Sequence, residues 1–144
     1  MDQVLLDPPP GQRDHAAAAQ AHRNRVERVL ADLGLTLPQF SVLTMLAAYP
    51  RHCNADLARL ALLTPQTMSV IVANLLKANL IARQPHRIHG RIQTIALTVA
   101  GQSLLEAAKD RVYALEAEML GDLGTAEQAV IRQWLVRIAR ADPA

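Results

Sequence analysis

The sequence contains little cysteine, few aromatic side chains and no long apolar run. Cys53 is the only cysteine among 144 residues, which excludes a disulfide framework and a zinc site built from several thiolates. Aromatic residues make up 3% of a chain that is 51% hydrophobic, so Leu, Ala, Val and Ile must form the core. These residues are typical of packed helices, and the length fits one domain. We therefore predict an all-α or mainly α-helical protein.

No apolar stretch reaches the roughly 18 residues that a membrane-spanning helix needs. The opening residues, MDQVLLDPPPGQRD, carry acids and prolines where a secretory signal has basic and apolar residues. We expect a cytoplasmic protein with no membrane partner, and residues 1–12 are predicted to be a flexible lead.

Patterns typical of catalysis are also missing. The sequence has no nucleophile elbow, no glycine-rich phosphate loop and no carboxylate pair beside a candidate base, so we do not expect an enzyme. His86 and His89 fall on a predicted hairpin tip, and His15 and His22 are two helical turns apart, so neither pair has the spacing of metal ligands. No metal or cofactor is expected. Cys53 is interpreted as a small apolar thiol, with redox sensing as the alternative.

The charge of the chain is concentrated in its middle. Residues 51–100 hold six Lys or Arg, and Asp56 is their only acid, whereas residues 1–50 and 101–144 each hold more acids than bases. A basic centre between acidic flanks favours contact with a polyanion, and a merely solvated basic face is the alternative.

Helix signals divide the chain into segments. Residues 13–32 predict a first helix that ends at Gly34. Thr36 and Gln39 form a capping-box pattern at the start of a second helix, which Pro50 closes. The apolar positions of this second helix predict a buried face: Phe40, Leu43, Leu46 and Ala47.

Asn54 is the predicted cap of a short third helix, and Thr64 is that of a fourth, with Pro65 in its first turn. In the fourth helix the predicted core positions are Met68, Ile71, Val72 and Leu75. The opposite face is polar and almost uncharged: Gln66, Thr67, Ser69, Val70, Asn74 and Lys77. A solvated helix more often carries Glu–Lys pairs, so this face suits the floor of a DNA groove, with a plain polar surface as the alternative.

Two strands are predicted next, at residues 80–85 and 91–98, with a turn near Gly90. The hairpin carries cations near its tip: Arg83, Arg87, His89 and Arg91. A basic hairpin beside a polar helix can reach DNA phosphates or the minor groove while the helix lies in the major groove.

Two more helices complete the chain. Thr98 is the predicted cap of the fifth, whose apolar stripe is Leu105, Ala108, Val112, Leu115 and Met119. Thr125, with Gln128 in capping-box position, is the predicted cap of the sixth, which carries Val130, Trp134 and Ile138 on one side. These stripes either pack against a second copy of the chain or fold back on their own domain.

The chain resembles the MarR family of transcriptional regulators. The resemblance rests on LGLTLPQFSVLTML, ADLARLALLTPQTMSVIVANLLKANLIAR, HGRIQTIALTVAG and LGDLGTAEQAVIRQWLVRI. It implies a winged helix-turn-helix fold, with residues 35–98 as the DNA-binding lobe and residues 13–34 and 99–144 as N- and C-terminal dimerisation helices.

The resemblance also implies a function and its residues. The expected protein is a homodimeric regulator, a repressor, that binds a pseudo-palindromic operator in double-stranded DNA and is released by a small aromatic or phenolic effector. The predicted recognition-helix contacts are Thr64, Pro65, Gln66, Thr67, Ser69, Val70, Asn74 and Lys77. The predicted wing contacts are Arg83, Arg87, His89 and Arg91. Helical placement suggests His22, Phe40 and Tyr49 for an effector pocket.

Two positions depart from the family pattern. Many members carry Asp-x-Arg at the wing, where this chain has His89, Gly90 and Arg91, so Arg91 lacks a carboxylate partner. Val70 stands where an arginine is frequent. An alternative function follows, in which a helical dimer uses the winged lobe to bind a protein partner and binds DNA only weakly and without sequence preference.

Overall fold

The computed structural model describes residues 14–50, 52–61, 63–85, 88, 91 and 93–140. These residues form helices and one antiparallel hairpin, as the sequence predicts. In chain order the elements are α1 (Asp14–Ala31), α2 (Leu37–Ala48), α3 (Asn54–Leu60), α4 (Pro65–Lys77), β1 (Ile81–Pro85), β2 (Gln93–Leu97), α5 (Val99–Leu120) and α6 (Thr125–Arg140).

The start of α2 confirms the predicted capping box. Gln39 donates its backbone N–H to the Thr36 hydroxyl at 3.3 Å, and Thr36 donates its own N–H to Gln39 Oε1 at 3.0 Å. The predicted buried face of this helix is partly wrong. Leu43 and Leu46 are buried as predicted, whereas Phe40 is only half-buried and Ala47 is exposed, because Val42 completes the buried side of the helix.

The predicted cap of α3 is wrong by one residue. Cys53 is the N-cap and Asn54 is already helical. Asp56 accepts from the backbone N–H of Cys53 at 3.4 Å and from its thiol at 3.1 Å, which satisfies the helix start without the Asn54 side chain. Thr64 caps α4 as predicted, accepting from the backbone N–H of Thr67 at 3.1 Å.

β1 begins one residue later than predicted and ends at Pro85 as predicted, while β2 covers residues 93–97 of the predicted 91–98. β1 and β2 pair in an antiparallel register that runs from Ile81 opposite Leu97 to Pro85 opposite Gln93. Ile95 also donates its backbone N–H to the His52 carbonyl at 3.0 Å, so the chain just before α3 touches the outer side of β2. The hairpin is thereby connected to the helices at its base.

The hairpin leads directly into α5. The Thr98 hydroxyl accepts from the Gly101 N–H at 3.0 Å, which confirms the predicted cap, and it donates to the Asn79 carbonyl at 2.7 Å. The predicted cap of α6 is wrong, since Thr125 is the first helical residue. Glu127 satisfies the helix start instead by accepting from the Gly124 N–H at 2.8 Å.

The chain divides into two compact units, one up to Val112 and one from Tyr113. The first unit contains the core, to which all helices from α1 to the first part of α5 contribute, together with both strands. Its fully buried large side chains include Leu30, Leu43, Leu57, Met68, Leu75, Ile95 and Leu105. In the second unit, α6 has no buried residue in the single chain.

No single helix among the described residues is both long and apolar enough to cross a bilayer. Within the part of the chain that the structure describes, α3 and α4 taken as a pair, bent by 115°, reach that length and composition. The described residues also contain no group of three or more His, Cys, Asp or Glu that could hold a metal ion.

Candidate nucleic-acid interface

The buried face of α4 determines which of its side chains point outward. Met68, Ile71, Val72 and Leu75 are all buried, as their spacing predicts. Because these four residues fill one side of the helix, the side chains between them must face solvent. The structure thus gives α4 one fixed outer face.

The predicted recognition-helix residues all lie exposed on this face: Thr64, Pro65, Gln66, Thr67, Ser69, Val70, Asn74 and Lys77. Lys77 is the only charged residue among them. Val70 is 62% exposed, so an apolar side chain lies among hydrogen-bonding groups. This combination can contact both the polar base edges and the thymine methyl group in a major groove.

The hydroxyl groups on this face already have partners. Ser69 donates to the Pro65 carbonyl at 2.8 Å and accepts from Asn54 Nδ2 at 3.0 Å. The Thr67 hydroxyl accepts from that of Thr64 at 2.9 Å. Sequence reasoning missed Asn54, because its partner lies 15 positions later in the chain and no local pattern connects them.

The hairpin contributes cations to the same unit. Arg83 on β1 and Arg91 before β2 are exposed, and β1 contacts α4. Arg87 and His89 lie outside the described residues. The sequence contains no Asp or Glu from residue 57 to residue 105, so α4 and the hairpin carry basic residues with no acid of their own.

Asp56, the acid that precedes this segment, is charged and paired with a cation. The Cys53 thiol hydrogen bond lowers the pKa of Asp56, helped by the Cys53 backbone N–H and the Arg59 guanidinium, while burial opposes the shift. Asp56 pairs with Arg59. Its negative charge therefore faces a cation on its own helix.

A cavity of about 310 Å³ lies in the first unit, between α1, the start of α2 and the end of α3. Its walls are mostly apolar, and Arg23 and Ser41 supply the polar side chains among the described lining residues. The described lining residues are Arg23, Leu37, Pro38, Ser41, Met45, Leu60, Ala61 and Leu63. A cavity of this size fits a small aromatic molecule, and a cation at its edge suits a carboxylate.

The residues predicted to line an effector pocket lie elsewhere. His22 and Phe40 are half-buried. Tyr49 is 56% exposed, and its ring meets that of His52 edge-on at 5.9 Å. None of the three is among the described lining residues of the cavity, and their role in binding an effector stays a prediction.

Comparison with known proteins identifies the family. The sequence profile of the MarR family matches residues 35–92. The HTH-type transcriptional repressor Rv2887 of Mycobacterium tuberculosis is 35% identical over 116 residues, which span 81% of this chain and 84% of that protein. The chain belongs to the MarR family.

Solved structures of MarR family proteins have the same fold. The M. tuberculosis protein Rv2887 in complex with salicylic acid matches with a TM-score of 0.71 and 33% identity, covering 93% of this chain and 99% of that one. The same protein in complex with DNA matches with a TM-score of 0.74 and 32% identity, covering 92% and 98%.

The MarR family match locates the candidate interface within the shared region. Residues 35–92 include the whole outer face of α4 and the predicted wing cations. The family is one of transcriptional regulators, which fits the expectation that the chain is not an enzyme. α5 and α6 follow the matched segment in the chain.

Proposed function

We propose that this MarR family member is a sequence-specific DNA-binding repressor. It acts in the cytoplasm as a homodimer on a pseudo-palindromic operator. The observation that carries the proposal is the outer face of α4, which is exposed, polar and almost uncharged, in a segment with no acid of its own. The solved complex of the related protein Rv2887 with DNA supports it.

In the proposed complex, α4 of each protomer enters a major groove, and the two grooves are about 10 base pairs apart. Gln66, Thr67, Ser69 and Asn74 contact base edges, while Pro65 and Val70 contact thymine methyl groups. Thr64 and Lys77 lie at the ends of this face, and Lys77 contacts phosphate. The hairpin is the wing, where Arg83 and Arg87 contact phosphates and Arg91 enters the flanking minor groove.

The wing departs from the common family pattern. His89 replaces the aspartate that would fix the Arg91 guanidinium through a charge-assisted pair. We infer that Arg91 is held less firmly here and that His89 contacts phosphate itself. Specificity then depends mostly on the base contacts of α4.

Selection from genomic fragments with the purified protein tests this function. We expect a short inverted repeat bound by a dimer, and titration at several salt concentrations should show affinity falling steeply with salt. Arg91→Ala is expected to weaken operator binding about tenfold.

Weak binding that is equal on all sequences would contradict the proposal. It would favour the alternative function, in which the winged lobe of a helical dimer binds a protein partner. An Arg91→Ala variant that binds the operator as tightly as the parent would contradict the wing assignment alone.

The proposed effector is a small aromatic carboxylate, which binds in the cavity beside Arg23. Among the described residues no acid lies within ion-pair distance of Arg23, so its charge is available to a ligand. The cavity reaches Leu63, next to the Thr64 cap of α4, so a ligand there contacts the turn that leads into the recognition helix. By linkage, an effector that releases DNA must bind more weakly to the DNA-bound form.

Salicylate, found with the related Rv2887 protein, is the probe for this site. Salicylate added to the protein–operator complex should release the DNA from the parent and from the Arg25→Ala variant. The Arg23→Ala variant should need at least about tenfold more salicylate, because a charge-assisted bond to the ligand is lost. Equal release from both variants would exclude Arg23 from the site.

A further inference from the structure

The Ser69 hydroxyl on the outer face of α4 has its single hydrogen committed. Ser69 Oγ lies 2.8 Å from the Pro65 carbonyl oxygen. A carbonyl oxygen has no hydrogen and can only accept, so the hydrogen between these atoms belongs to Ser69.

This bond determines the direction of the next one. Asn54 Nδ2 lies 3.0 Å from Ser69 Oγ. Because the Ser69 hydrogen already points to Pro65, the Asn54 amide must be the donor, which assigns its nitrogen to Ser69. Asn54 Oδ1 is then turned inward, where it is buried with no hydrogen-bond partner among the described residues.

Asn54 is held on a helix that cannot move freely. It is the first residue of α3, and Leu57 and Ala58 on the same helix are 0% and 2% exposed. The amide is thus brought to Ser69 from a separate, packed element. The Ser69 hydroxyl is fixed from two directions, by its own helix and by α3.

With these two bonds made, Ser69 has one lone pair left for the solvent side. In the major groove, the bases that offer a hydrogen are cytosine through N4 and adenine through N6, whereas guanine and thymine present carbonyl oxygens. Phosphate oxygens are also acceptors only. Ser69 in this state can therefore accept from an amino base and has no hydrogen for a keto base or a phosphate.

Thr67, on the same face, is not committed in this way. Its hydroxyl oxygen lies 2.9 Å from that of Thr64, and in a pair of hydroxyl groups either one can supply the hydrogen. Thr67 is therefore not limited to accepting as Ser69 is, and it can also donate to guanine, to adenine N7 or to phosphate.

We propose that Asn54 is a specificity-determining positioning residue, which fixes Ser69 as an acceptor so that the base facing Ser69 in each half-site is cytosine or adenine. The inference rests on the proposed DNA-binding function. Asn54 acts through Ser69, because its N–H holds the Ser69 side chain in the rotamer that donates to the Pro65 carbonyl. Without Asn54 the side chain can leave that rotamer, break the bond to Pro65 and turn its hydrogen toward the DNA.

Selection from random duplexes with the full-length parent, Ser69→Ala, Asn54→Ala and Thr67→Val tests the proposal. In the parent, one half-site position should favour A or C over G or T on the contacted strand by about three- to tenfold. Ser69→Ala should abolish this preference at that position alone, and Asn54→Ala should lower it to about twofold or less.

The size of this base preference is measured by titrating the protein against two duplexes that differ only in the orientation of that base pair. The ratio of the two affinities gives the preference. The double variant Asn54→Ala with Ser69→Ala should lose no more than Ser69→Ala alone, since both substitutions act on one oxygen atom. Thr67→Val, the matched control, should alter a different position and leave the Ser69 position unchanged.

Several results would overturn the inference. One is a preference for G or T at the Ser69 position, and another is that no position responds to Ser69→Ala. A third is an Asn54→Ala variant whose affinity falls by the same factor on all sequences while the base preference at the Ser69 position stays intact. If Asn54→Ala does not fold, as judged by thermal unfolding, Asn54→Ser replaces it, because serine lacks the amide donor and is well tolerated at a helix start. If the parent protein selects no sequence at all, the proposed DNA-binding function itself is refuted. That result differs from a selected sequence that lacks the preference at the Ser69 position.

Discussion

The Asp56 side chain has two roles at the start of α3, in the helix cap and in an ion pair. It completes the helix cap by accepting from the backbone N–H and the thiol of Cys53, and it pairs with Arg59 one turn later. Each contact favours the charged carboxylate, which is why the pKa of Asp56 lies below its ordinary value of 3.8.

This lowered pKa predicts an acid-sensitive part of the stability. Since the folded state holds the charged form more strongly than the unfolded chain, Asp56 stabilises the fold at pH values above its ordinary pKa, and this contribution disappears as the pH falls through the lower folded value. We expect Asp56→Asn to reduce stability at pH 7 by about 0.5–1 kcal/mol, the usual cost of a lost cap, and to matter less near pH 3.

Urea unfolding of parent and variant at both pH values measures this difference. Asp110→Asn is the control, because Asp110 is exposed and has no hydrogen bond or ion pair among the described residues. A stability difference for Asp56→Asn that is the same at both pH values would show that the carboxylate charge plays no part.

Asn54 and Thr36 illustrate what a sequence can and cannot predict for single residues. The Thr36–Gln39 capping box was predictable because both partners lie within one helical turn and their chemistry is reciprocal. Asn54 carries the same cap signal, yet Cys53 and Asp56 take the cap and leave its amide to Ser69. That contact depends on how α3 packs against α4, which no local pattern contains.

The junction between the wing and α5 depends on close backbone contact. Thr98 donates its backbone N–H to the Leu80 carbonyl at 3.1 Å, and its hydroxyl bonds to both Asn79 and Gly101. A Cβ atom added at Gly101 would overlap the Leu80 carbonyl oxygen. The glycine is therefore required by the approach of one backbone to another, at the point where the hairpin meets the helix.

Gly101→Ala is accordingly expected to destabilise the protein by about 1–3 kcal/mol, because rigid backbone atoms must separate. Gly124→Ala is the matched control, since its added Cβ would lie 3.7 Å from the flexible Glu127 side chain and should cost about 1 kcal/mol or less. Urea unfolding measures both. Equal small losses for the two variants would show that α5 and the wing base are less closely packed.

The elements themselves were largely predictable, and their assembly was less so. The apolar spacing of α4 identified its four buried residues because that helix has one core face. In α2 the same reasoning failed for Phe40 and Ala47, since the buried side of a short apolar helix is chosen by its neighbours. The cavity beside Arg23 is formed where α1, α2 and α3 meet, and which side chains line it depends on how these helices pack, which helical placement alone does not give.

The two compact units differ in how they use apolar residues. The first buries its large apolar side chains in a shared core, whereas α6 in the second leaves Val130, Trp134 and Ile138 exposed by 65%, 43% and 50%. These residues lie on one helix side at intervals of four. An exposed apolar stripe of this length is typical of a face that a second chain covers, which supports the proposed homodimer.

Trp134→Glu tests whether the α6 stripe holds the dimer together. A carboxylate placed where a large aromatic side chain would be buried costs several kcal/mol, so we expect sedimentation to change from dimer to monomer at micromolar concentrations. Operator affinity should then fall by about a hundredfold or more, because the two half-sites are no longer bound by linked lobes.

Gln133→Glu introduces the same charge at the adjacent position on the same helix and should remain a dimer. A Trp134→Glu protein that stays dimeric would exclude this stripe from the interface, while a monomer that keeps full operator affinity would refute the two-half-site arrangement.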